Sequence, residues 1–241
     1  MILVVGCGFV GETVAKSLEE NDINVIRIDP KYNDNKISDY PDVKEAIVAV
    51  PTPTVDGKCD DSIIRTVLQE LGDRRILLKC TVPPNLLSEY PDNVTYCPEF
   101  LRAKTAKQDW DNQKFMVLGG KEMDCYRWSQ TFAYLDVDFM QTDRNTASMV
   151  KYVHNTWLAT KVAFFHEIFS KLDKSYNHDS MISILSLFET IGPSHMQAPN
   201  DEGKLGYGGH CFPKDTQAFL DYSNSEILER VIEVNNKLRD K

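Results

Sequence analysis

The chain has 241 residues, of which 42% are hydrophobic and 26% are charged, a balance typical of a folded protein with one or two domains. Its formal net charge of −9 argues against a nucleic acid or an acidic membrane as partner, because neither favours a negative surface. The longest apolar runs fall well short of the ~20 residues that span a membrane, and the N-terminal run is too short for a signal peptide. The six cysteines form no CxxC pair, so we predict no metal site. The size and hydrophobic content of the chain make a disulfide framework unnecessary, so we expect a reducing, cytoplasmic location.

The first ~140 residues alternate short β-rich segments with helical segments, which is the pattern of a parallel sheet with crossover helices. The β-rich segments are almost continuously apolar, as expected for strands that are covered on both faces. Strands are predicted at 2–5, 24–28, 46–50, 75–79, 94–97, 115–119 and 137–140, and helices at 11–20 and 61–71. Only about 17 residues separate the second strand from the third, so one element of the sheet is expected to be missing or vestigial.

Helical sequence dominates the rest of the chain. A long helix is predicted from Thr146 to about Leu172, with Asn145 or Thr146 as its N-cap, and a second helix at 179–190. A loop with several glycines and prolines is predicted to extend to residue 215, and helical sequence follows it.

The predicted fold class is α/β, with two domains. Residues 1–143 are expected to form a Rossmann-like, doubly wound sheet that binds a cofactor. Residues 144–241 are expected to form a helical domain that carries the cysteine loop described below and takes part in dimerisation.

Residues 6–11, GCGFVG, follow a strand directly and open a helix, and they satisfy the G-x-G-x-x-G pattern of a dinucleotide-binding turn. Gly6 permits the tight turn, Gly8 lets a pyrophosphate approach the backbone, and Gly11 lets helix and strand pack closely. The N-terminus of the helix offers N–H groups and partial positive charge to phosphate, and Phe9 and Val10 join the glycines as candidate cofactor-binding residues.

Asp29 strengthens the interpretation of this turn as a dinucleotide-binding site. It ends the second predicted strand, where a carboxylate can accept hydrogen bonds from both hydroxyls of the adenosine ribose. A carboxylate there repels a 2′-phosphate, so NAD is predicted as the cofactor rather than NADP.

Three predicted strands end in proline together with a hydroxyl or a carboxylate, at VPTP (50–53), KCTVPP (79–84) and YCPEF (96–100). Proline at a strand exit often only stops the strand. Ligands nevertheless gather at the carboxyl ends of strands in an open α/β sheet, so the three segments together indicate a site. Glu99 is the candidate general base there.

On the long predicted helix, Lys151 and Asn155 are four residues apart and therefore share one face. Most lysines on helices are simply solvated, but an ammonium and an amide donor on one face can stabilise an oxyanion. His154, Trp157 and Phe164 of the same helix are interpreted as core or interface residues.

Residues 206–215, GYGGHCFPKD, surround a single cysteine with three glycines. From the residues alone, this segment is either a sharp turn that contains a cysteine or a loop wrapped around a reacting group.

Taken together, these segments resemble one family, the nucleotide-sugar 6-dehydrogenases, which includes UDP-glucose, GDP-mannose and UDP-N-acetyl-hexosamine dehydrogenases. The segments GCGFVG with Asp29, VPTP, KCTVPP, CPEFLRAKTAKQD, KYVHNTWLATKVAF and GYGGHCFPKD occur in the family's order, and the last is the most specific. The resemblance implies NAD as cofactor and a two-step oxidation of the C6 primary alcohol of a nucleotide sugar, for example UDP-glucose to UDP-glucuronate.

The resemblance also implies a role for each site residue. Cys211 attacks the aldehyde intermediate and carries first a thiohemiacetal and then a thioester. Oxyanion stabilisation, water activation and proton transfer are assigned to five other side chains: Lys151, Asn155, Asp215, Glu99 and Thr81.

The family's binding residues are carried over in the same way. Thr52 and Thr81 supply hydroxyls on the cofactor side. Close approach of the backbone to the sugar is implied at Gly206, Gly208 and Gly209. The residues implied to line the substrate site are Phe100, Leu101, Arg102, Tyr207, Gly208 and Gly209.

Several features depart from the family pattern. Ser148 stands where the family has a glutamate, His166 where it has the asparagine of an Asn-Glu pair, and Thr190 where it has an arginine. The family's nucleotide-binding third domain is expected to be absent, so we expect a partner chain to complete the pocket or a smaller substrate to be accepted.

A homodimer is expected through the helix after residue 225, whose apolar positions are 227, 228, 231, 232 and 234.

Two other functions stay open at this point. The chain can be an NAD-binding module without turnover, such as a partner subunit of a dehydrogenase. It can also be a cysteine hydrolase that pairs Cys211 with one of the five histidines, although the dinucleotide-binding pattern then has no explanation.

Overall fold

The computed structural model describes residues 1–173, 175–200 and 203–240. These residues form two compact units. The first unit comprises Met1–Val55 and Cys59–Lys151, and the second comprises Asp56–Lys58 and the chain from Tyr152 onward.

The strands found in the described ranges are β1 (Ile2–Val5), β2 (Val25–Ile28), β3 (Glu45–Val48), β4 (Thr54–Val55), β5 (Lys58–Cys59), β6 (Arg75–Leu78), β7 (Val94–Tyr96), β8 (Phe115–Gly119) and β9 (Asp138–Thr142). Seven of them form one sheet in the order β2-β1-β3-β6-β7-β8-β9. These are the seven strands predicted from the sequence, so the α/β fold class is confirmed.

The direction of two strands differs from the prediction. Neighbouring strands of the sheet are parallel except β7 and β8, which are antiparallel, so β8 and β9 run against the other five strands. Tyr96, the last residue of β7, pairs with Gly119, the last residue of β8, so β8 begins beyond the carboxyl end of β7. A purely parallel sheet was therefore a wrong expectation at this side.

The helices found in the described ranges are α1 (Phe9–Glu19), α2 (Ser62–Leu71), α3 (Pro84–Leu87), α4 (Ala106–Asp111), α5 (Glu122–Thr131), α6 (Arg144–Lys171), α7 (His178–Leu185), α8 (Cys211–Ser223) and α9 (Glu226–Arg239). The sheet of the first unit has a buried apolar cluster on each face, as its continuously apolar strands predicted. In β1, Leu3 and Val5 belong to one cluster and Ile2 and Val4 to the other. Helix α1 contributes to the second cluster and α2 to the first.

The expected gap in the sheet is present. Between β2 and β3 the chain forms only a single 3₁₀ turn at Ile37–Asp39. Ile37 is 3% exposed and joins one of the two apolar clusters. The short 3₁₀ turn therefore stands in place of the missing helix and strand. A small hairpin of β4 and β5 was not predicted, although its turn, Asp56 and Gly57, has the positive φ angles that Asp-Gly favours.

Three helix starts differ from the sequence prediction, and the first is that of α1, which begins at Phe9 and not at residue 11. The carboxylate of Asp143 accepts hydrogen bonds from the backbone N–H (2.9 Å) and the hydroxyl (2.6 Å) of Thr146, so Asp143 occupies the N-terminal end of α6 in place of Asn145 or Thr146. Helix α8 begins at Cys211, whereas a loop was predicted to continue to residue 215. Pro213 is compatible with this early start, because proline is tolerated in the first turn of a helix.

Helix α9 is covered within the second unit to a greater extent than expected. Leu228 is 4% exposed, and Val231 packs against a cluster formed by Ala159, Val162, Ala163 and Tyr207. Of the apolar positions that were expected to form the dimer contact, Leu228 is therefore covered within its own unit, while Ile227 is 74% exposed. Across the part of the chain that the structure describes, we find no helix with the length and apolarity needed to cross a membrane.

Candidate active site

The glycine turn has the geometry of a phosphate cradle. Gly6 has φ +87°, and a Cβ there would lie 2.6 Å from the carbonyl oxygen of Ala49. A Cβ on Gly11 would lie 1.9 Å from the carbonyl oxygen of Gly6, so the helix approaches the turn as closely as backbone allows. A Cβ on Gly8, by contrast, would meet no atom of the described chain within 4 Å. Gly8 thus borders open space at the start of α1, where Phe9 and Val10 present N–H groups without intrahelical partners.

The carboxylate of Asp29 lies against this turn. It accepts hydrogen bonds from the backbone N–H of Cys7 (2.7 Å) and of Lys31 (2.9 Å). Burial, together with the nearby charge of Asp29, raises the pKa of the Cys7 thiol to about 11. Cys7 therefore stays protonated near neutral pH and is a poor nucleophile. The residues of the turn fit a dinucleotide, since an acid, a tight turn and an open helix N-terminus occur together.

The parallel strands β3, β6 and β7 are neighbours, so the segments that follow them leave the sheet at one edge. Thr52 is buried and Thr81 is half-buried in these segments. Glu99 is 8% exposed, and its carboxylate accepts a hydrogen bond from the backbone N–H of Leu101 (2.7 Å).

Glu99 has a second partner in Lys151. The ammonium of Lys151 donates to the backbone carbonyl of Glu99 (2.5 Å) and lies 3.4 Å from the Glu99 carboxylate. The Lys151 side chain is 4% exposed and its ammonium lies 5.3 Å from the centre of the Phe100 ring. Lys151 is therefore not a solvated lysine. Lys151 and Glu99, which were both candidates from the sequence, form one buried ion pair. Ser148, one turn earlier on α6, is also buried and donates to the carbonyl of Val82 (2.6 Å).

The remaining residues of the 100–102 segment differ in exposure. Phe100 is half-buried, whereas the Leu101 side chain packs into the apolar cluster on one face of the sheet. The Arg102 side chain is 71% exposed and forms an ion pair with Asp109 (2.6 Å). The Arg102 guanidinium holds the pKa of Asp109 at about 2. Arg102 is thus the one side chain of the three that is open to solvent.

In the second unit, Asn155 and Asp215 are in direct contact. The amide of Asn155 donates to the carboxylate of Asp215 over 2.6 Å, and the two residues are 5% and 1% exposed. The other carboxylate oxygen of Asp215 lies 2.5 Å from the ammonium of Lys214. The sequence pointed to Asn155 and Asp215 separately, and the structure brings them together across 60 positions of the chain.

Cys211 is the first residue of α8, which is 13 residues long. The N-terminus of a helix carries partial positive charge, which favours a thiolate at that position. Cys211 and Asp215 are four residues apart on α8 and therefore share one face. Cys211 is half-buried, while Cys7, Cys80, Cys97 and Cys125 are buried, and the six cysteines, all within the described ranges, form no disulfide.

The loop that leads into α8 is held by residues that the sequence did not single out for this purpose. Gly206 has φ +77°, and Tyr207 is 4% exposed. Asn235 of α9 accepts from the N–H of Tyr207 (2.7 Å), and His166 of α6 accepts from the N–H of Gly206 (2.8 Å). His166 lies on the same helical face as Val162 and Phe169, and a polar residue on an apolar face was the available signal that it has a partner.

Gly208 and Gly209 of this loop have different surroundings. A Cβ on Gly208 would lie 3.0 Å from the guanidinium of Arg239, whereas Gly209 has φ +74° and no atom of the described chain within 4 Å of an added Cβ. Gly209 is thus the glycine of this loop that borders open space.

Three residues of α6 do not lie in the core. His154 is exposed, although its Nδ1 lies 3.0 Å from the side-chain oxygen of Asn155. Trp157 and Phe164 are 60% and 57% exposed. The interpretation of these side chains as core residues is therefore wrong, and their interpretation as interface residues stays a prediction. In the part of the chain that the structure describes, no group of three or more His, Cys, Asp or Glu residues is arranged to hold a metal ion.

The chain is similar to known proteins in both sequence and fold. Residues 145–237 match the central domain of the UDP-glucose/GDP-mannose dehydrogenase family. A UDP-glucose 6-dehydrogenase of Bacillus subtilis (strain 168), YwqF, is 30% identical over 214 residues, covering 78% of this chain and 48% of that protein. A UDP-glucose 6-dehydrogenase of Streptococcus pneumoniae is 28% identical over 257 residues, covering 95% of this chain and 62% of that protein.

A solved structure of similar fold is that of a UDP-glucose dehydrogenase from the archaeon Pyrobaculum islandicum. Its TM-score is 0.81 at 23% identity, with 98% of this chain and 68% of that chain covered. At this identity the likeness concerns the fold. The chain spans 48% and 62% of the length of the two sequence relatives named above. Residues 145–237 are therefore a central domain of the UDP-glucose/GDP-mannose dehydrogenase family, and the chain as a whole is similar to the relatives named above.

Proposed function

We propose that this protein is an NAD-dependent oxidoreductase that converts the C6 primary alcohol of a nucleotide sugar, with UDP-glucose as the first candidate, into the carboxylate. The observation that carries the proposal is the buried contact between Asn155 and Asp215 (2.6 Å), with Cys211 one helical turn before Asp215 on α8. A thiol at a helix N-terminus beside a hydrogen-bonded amide and carboxylate suits the formation and hydrolysis of a thioester.

The proposed domain roles follow from the same residues. Residues 1–143 bind the cofactor, with Gly8, Phe9 and Val10 at the pyrophosphate and Asp29 at the adenosine ribose. Thr52 and Thr81 add hydroxyls on the cofactor side. When bound, NAD⁺ accepts one hydride in each of the two oxidations. Residues 144–241 carry the cysteine chemistry.

The first oxidation turns the alcohol into an aldehyde. The Cys211 thiolate then attacks the aldehyde carbon, a C–S bond forms, and the carbonyl oxygen becomes the oxyanion of a thiohemiacetal. Loss of hydride from that carbon gives the thioester. Water adds to the thioester carbon, the C–S bond breaks, and the products are the carboxylate and the Cys211 thiol.

The other side chains stabilise charge and move protons in this scheme. Lys151 and Asn155 donate hydrogen bonds to the oxyanion. Asp215 orients the Asn155 amide and activates the hydrolytic water, and Glu99 and Thr81 take part in proton transfer. Because Lys151 is paired with Glu99 in the structure, a change at either residue is expected to alter the other.

We assign sugar recognition to two segments. The first is Phe100, Leu101 and Arg102, of which the Arg102 side chain is exposed to solvent. The second is Tyr207, Gly208 and Gly209, of which Gly209 borders open space and lets a sugar approach the backbone.

We also propose a homodimer, with α6 as its contact surface. The large apolar residues exposed along this helix recur at spacings of three, four and seven and so define one face, the α6 apolar face: Val150, Val153, Trp157, Phe164 and Ile168. An apolar helix face of this kind is self-complementary when two copies meet about a twofold axis. The α9 helix is the weaker candidate, since Leu228 is already covered within its own unit.

The proposed location is a reducing compartment, the cytoplasm, because six cysteines remain without a disulfide in the described chain.

The test of the proposed function is NADH formation with a panel of UDP- and GDP-sugars, measured for the wild type and for Cys211→Ser. We expect turnover with at least one sugar nucleotide in the wild type and its loss in the variant. Binding of NAD without turnover of any sugar nucleotide would instead support the non-catalytic module. Activity on an ester or amide that needs Cys211 but no NAD would support the hydrolase.

A further inference from the structure

Both ring nitrogens of His166 are engaged in hydrogen bonds inside the second unit. Nδ1 lies 2.8 Å from the backbone nitrogen of Gly206, and Nε2 lies 2.7 Å from the carbonyl oxygen of Gln197. A backbone N–H can only donate and a carbonyl can only accept, so Nδ1 is the acceptor and Nε2 carries the proton. The ring is therefore neutral and held as a single tautomer. With 1% exposure, it has no water to replace either partner.

The residue that His166 holds is the first glycine of the cysteine loop. Gly206 has φ +77°, and a Cβ there would lie 2.6 Å from the side-chain oxygen of Asn235. The next residue, Tyr207, donates its N–H to Asn235 (2.7 Å), and its carbonyl accepts from the Asn235 amide (3.3 Å). Three successive peptide groups, 205–206 to 207–208, are thus fixed by side chains of two different helices, α6 and α9.

These contacts at Gly206 and Tyr207 end four residues before the proposed nucleophile, Cys211. After Tyr207 the chain passes through Gly208, Gly209 and His210 and enters α8 at Cys211. Glycines give the intervening segment great conformational freedom, so its path depends on how firmly its upstream end is fixed. Tyr207 is the last residue of the segment with a side chain in the apolar cluster of this unit.

We propose that His166 is a positioning residue, whose neutral imidazole sets the course of the 206–210 loop and thereby the orientation of Cys211. The inference rests on the proposed function in one respect, because that function gives Cys211 a reaction to perform. The acceptor at Nδ1 is the essential group, because it is the atom that reaches the loop. The bond from Nε2 to Gln197 keeps the ring oriented.

Two conservative variants separate these atoms. In His166→Asn the side-chain oxygen can take the place of Nδ1 and accept from Gly206, but nothing replaces Nε2. In His166→Gln the amide nitrogen can take the place of Nε2 and donate to Gln197, but no acceptor remains at the Nδ1 position. Both variants remove the imidazole from the core, so a role in packing alone predicts equal effects.

The experiment measures the rate at which iodoacetamide alkylates Cys211, followed by peptide mass spectrometry, with half-buried Cys59 as internal control. We expect the rate at Cys211 in His166→Asn to stay within about twofold of the wild type. In His166→Gln we expect a change of about tenfold or more, since small displacements of reacting groups have large effects on rate. The rate at Cys59 should be the same in all three proteins. Equal rates at Cys211 in the wild type and His166→Gln, or equal changes in both variants, would overturn the proposal.

A second measurement uses the wild-type protein alone. The ¹⁵N shifts of histidine side chains distinguish the two neutral tautomers and the charged ring. We expect His166 at neutral pH as the neutral form protonated on Nε2, and a charged ring or an Nδ1-protonated ring would contradict the proposal. Neither readout depends on turnover, so a protein without dehydrogenase activity leaves this inference testable. Where activity is present, His166→Gln should lower kcat by about tenfold or more, and His166→Asn should largely retain it.

Discussion

The amide of Asn155 and the carboxylate of Asp215 form a buried hydrogen bond of 2.6 Å between α6 and α8. The second oxygen of Asp215 lies next to the ammonium of Lys214, so the carboxylate is held by one neutral and one charged donor. This hydrogen bond orients the Asn155 amide, which is proposed to donate to the oxyanion.

The first prediction concerns the charge of Asp215. Asp215→Asn keeps the size of the side chain but removes the negative charge that orients Asn155, so kcat should fall by about a hundredfold, in the range seen for oxyanion-site groups. Steady-state kinetics provide the measurement. Asp221→Asn, on an exposed position of the same helix, is the matched control and should leave kcat unchanged. Equal activity of Asp215→Asn and the wild type would remove Asp215 from the mechanism.

The second prediction separates two glycines of the cofactor turn. In Gly11→Ala the added Cβ collides with the carbonyl oxygen of Gly6, so the free energy of unfolding should fall by about 2 kcal/mol or more. In Gly8→Ala the Cβ meets no atom of the described chain, so stability should change little while NAD affinity falls about tenfold or more. Urea unfolding and NAD titration test the pair. Unchanged NAD binding by Gly8→Ala would argue against a pyrophosphate at this turn.

The strands were predictable because their apolar residues leave few alternatives. In β1, for example, four consecutive apolar residues must cover two faces at once, and the predicted bounds 2–5 agree with the structure. The reversal of β8 was not predictable, because the direction of a strand depends on where the preceding loop leaves it and not on its own composition. The start of α8 was missed because glycine and proline in GYGGHCFPKD mark a loop and a first helical turn equally well.

The residues of the site were predictable from their types and spacing, but their contacts were not. Lys151 was recognisable as a candidate, yet its pairing with Glu99 depends on two segments 52 positions apart. His166 was noted only as a departure from the family pattern. Its role depends on Gly206 and Gln197, whose positions are set by tertiary packing.

The third prediction concerns the dependence of stability on pH. Burial lowers the pKa of His166 below its ordinary value of 6.5, and the hydrogen bond to Gln197 offsets part of this effect. The unfolded chain therefore takes up a proton on this residue at a higher pH than the folded protein does. The resulting stability is present above pH 6.5 and is lost as the pH falls from there towards the folded pKa.

Urea unfolding of the wild type and His166→Asn above and below pH 6.5 measures this contribution. The wild type should lose more stability than the variant over the same interval. Equal losses in both proteins would show that His166 titrates alike in the folded and unfolded states.

The fourth prediction distinguishes two dimer surfaces. Trp157→Glu places a charge at the most exposed residue of the α6 apolar face and should convert the dimer into monomers. Ile227→Glu places the same charge on α9, where Ile227 is 74% exposed, and should leave the dimer intact. Light scattering at micromolar concentration measures the oligomeric state of both variants. The reverse pattern would assign the contact to α9, and a monomeric wild type would contradict the homodimer itself.

Cys211 is proposed to carry the second of two oxidations, and the stoichiometry of NADH tests this role most directly. With UDP-glucose or another accepted sugar nucleotide, the wild type should form two NADH for each uronate produced, and mass spectrometry should detect an acyl group on Cys211. Cys211→Ser should form no uronate at a measurable rate, while Cys59→Ser should match the wild type. Uronate formation by Cys211→Ser at the wild-type rate would contradict the account.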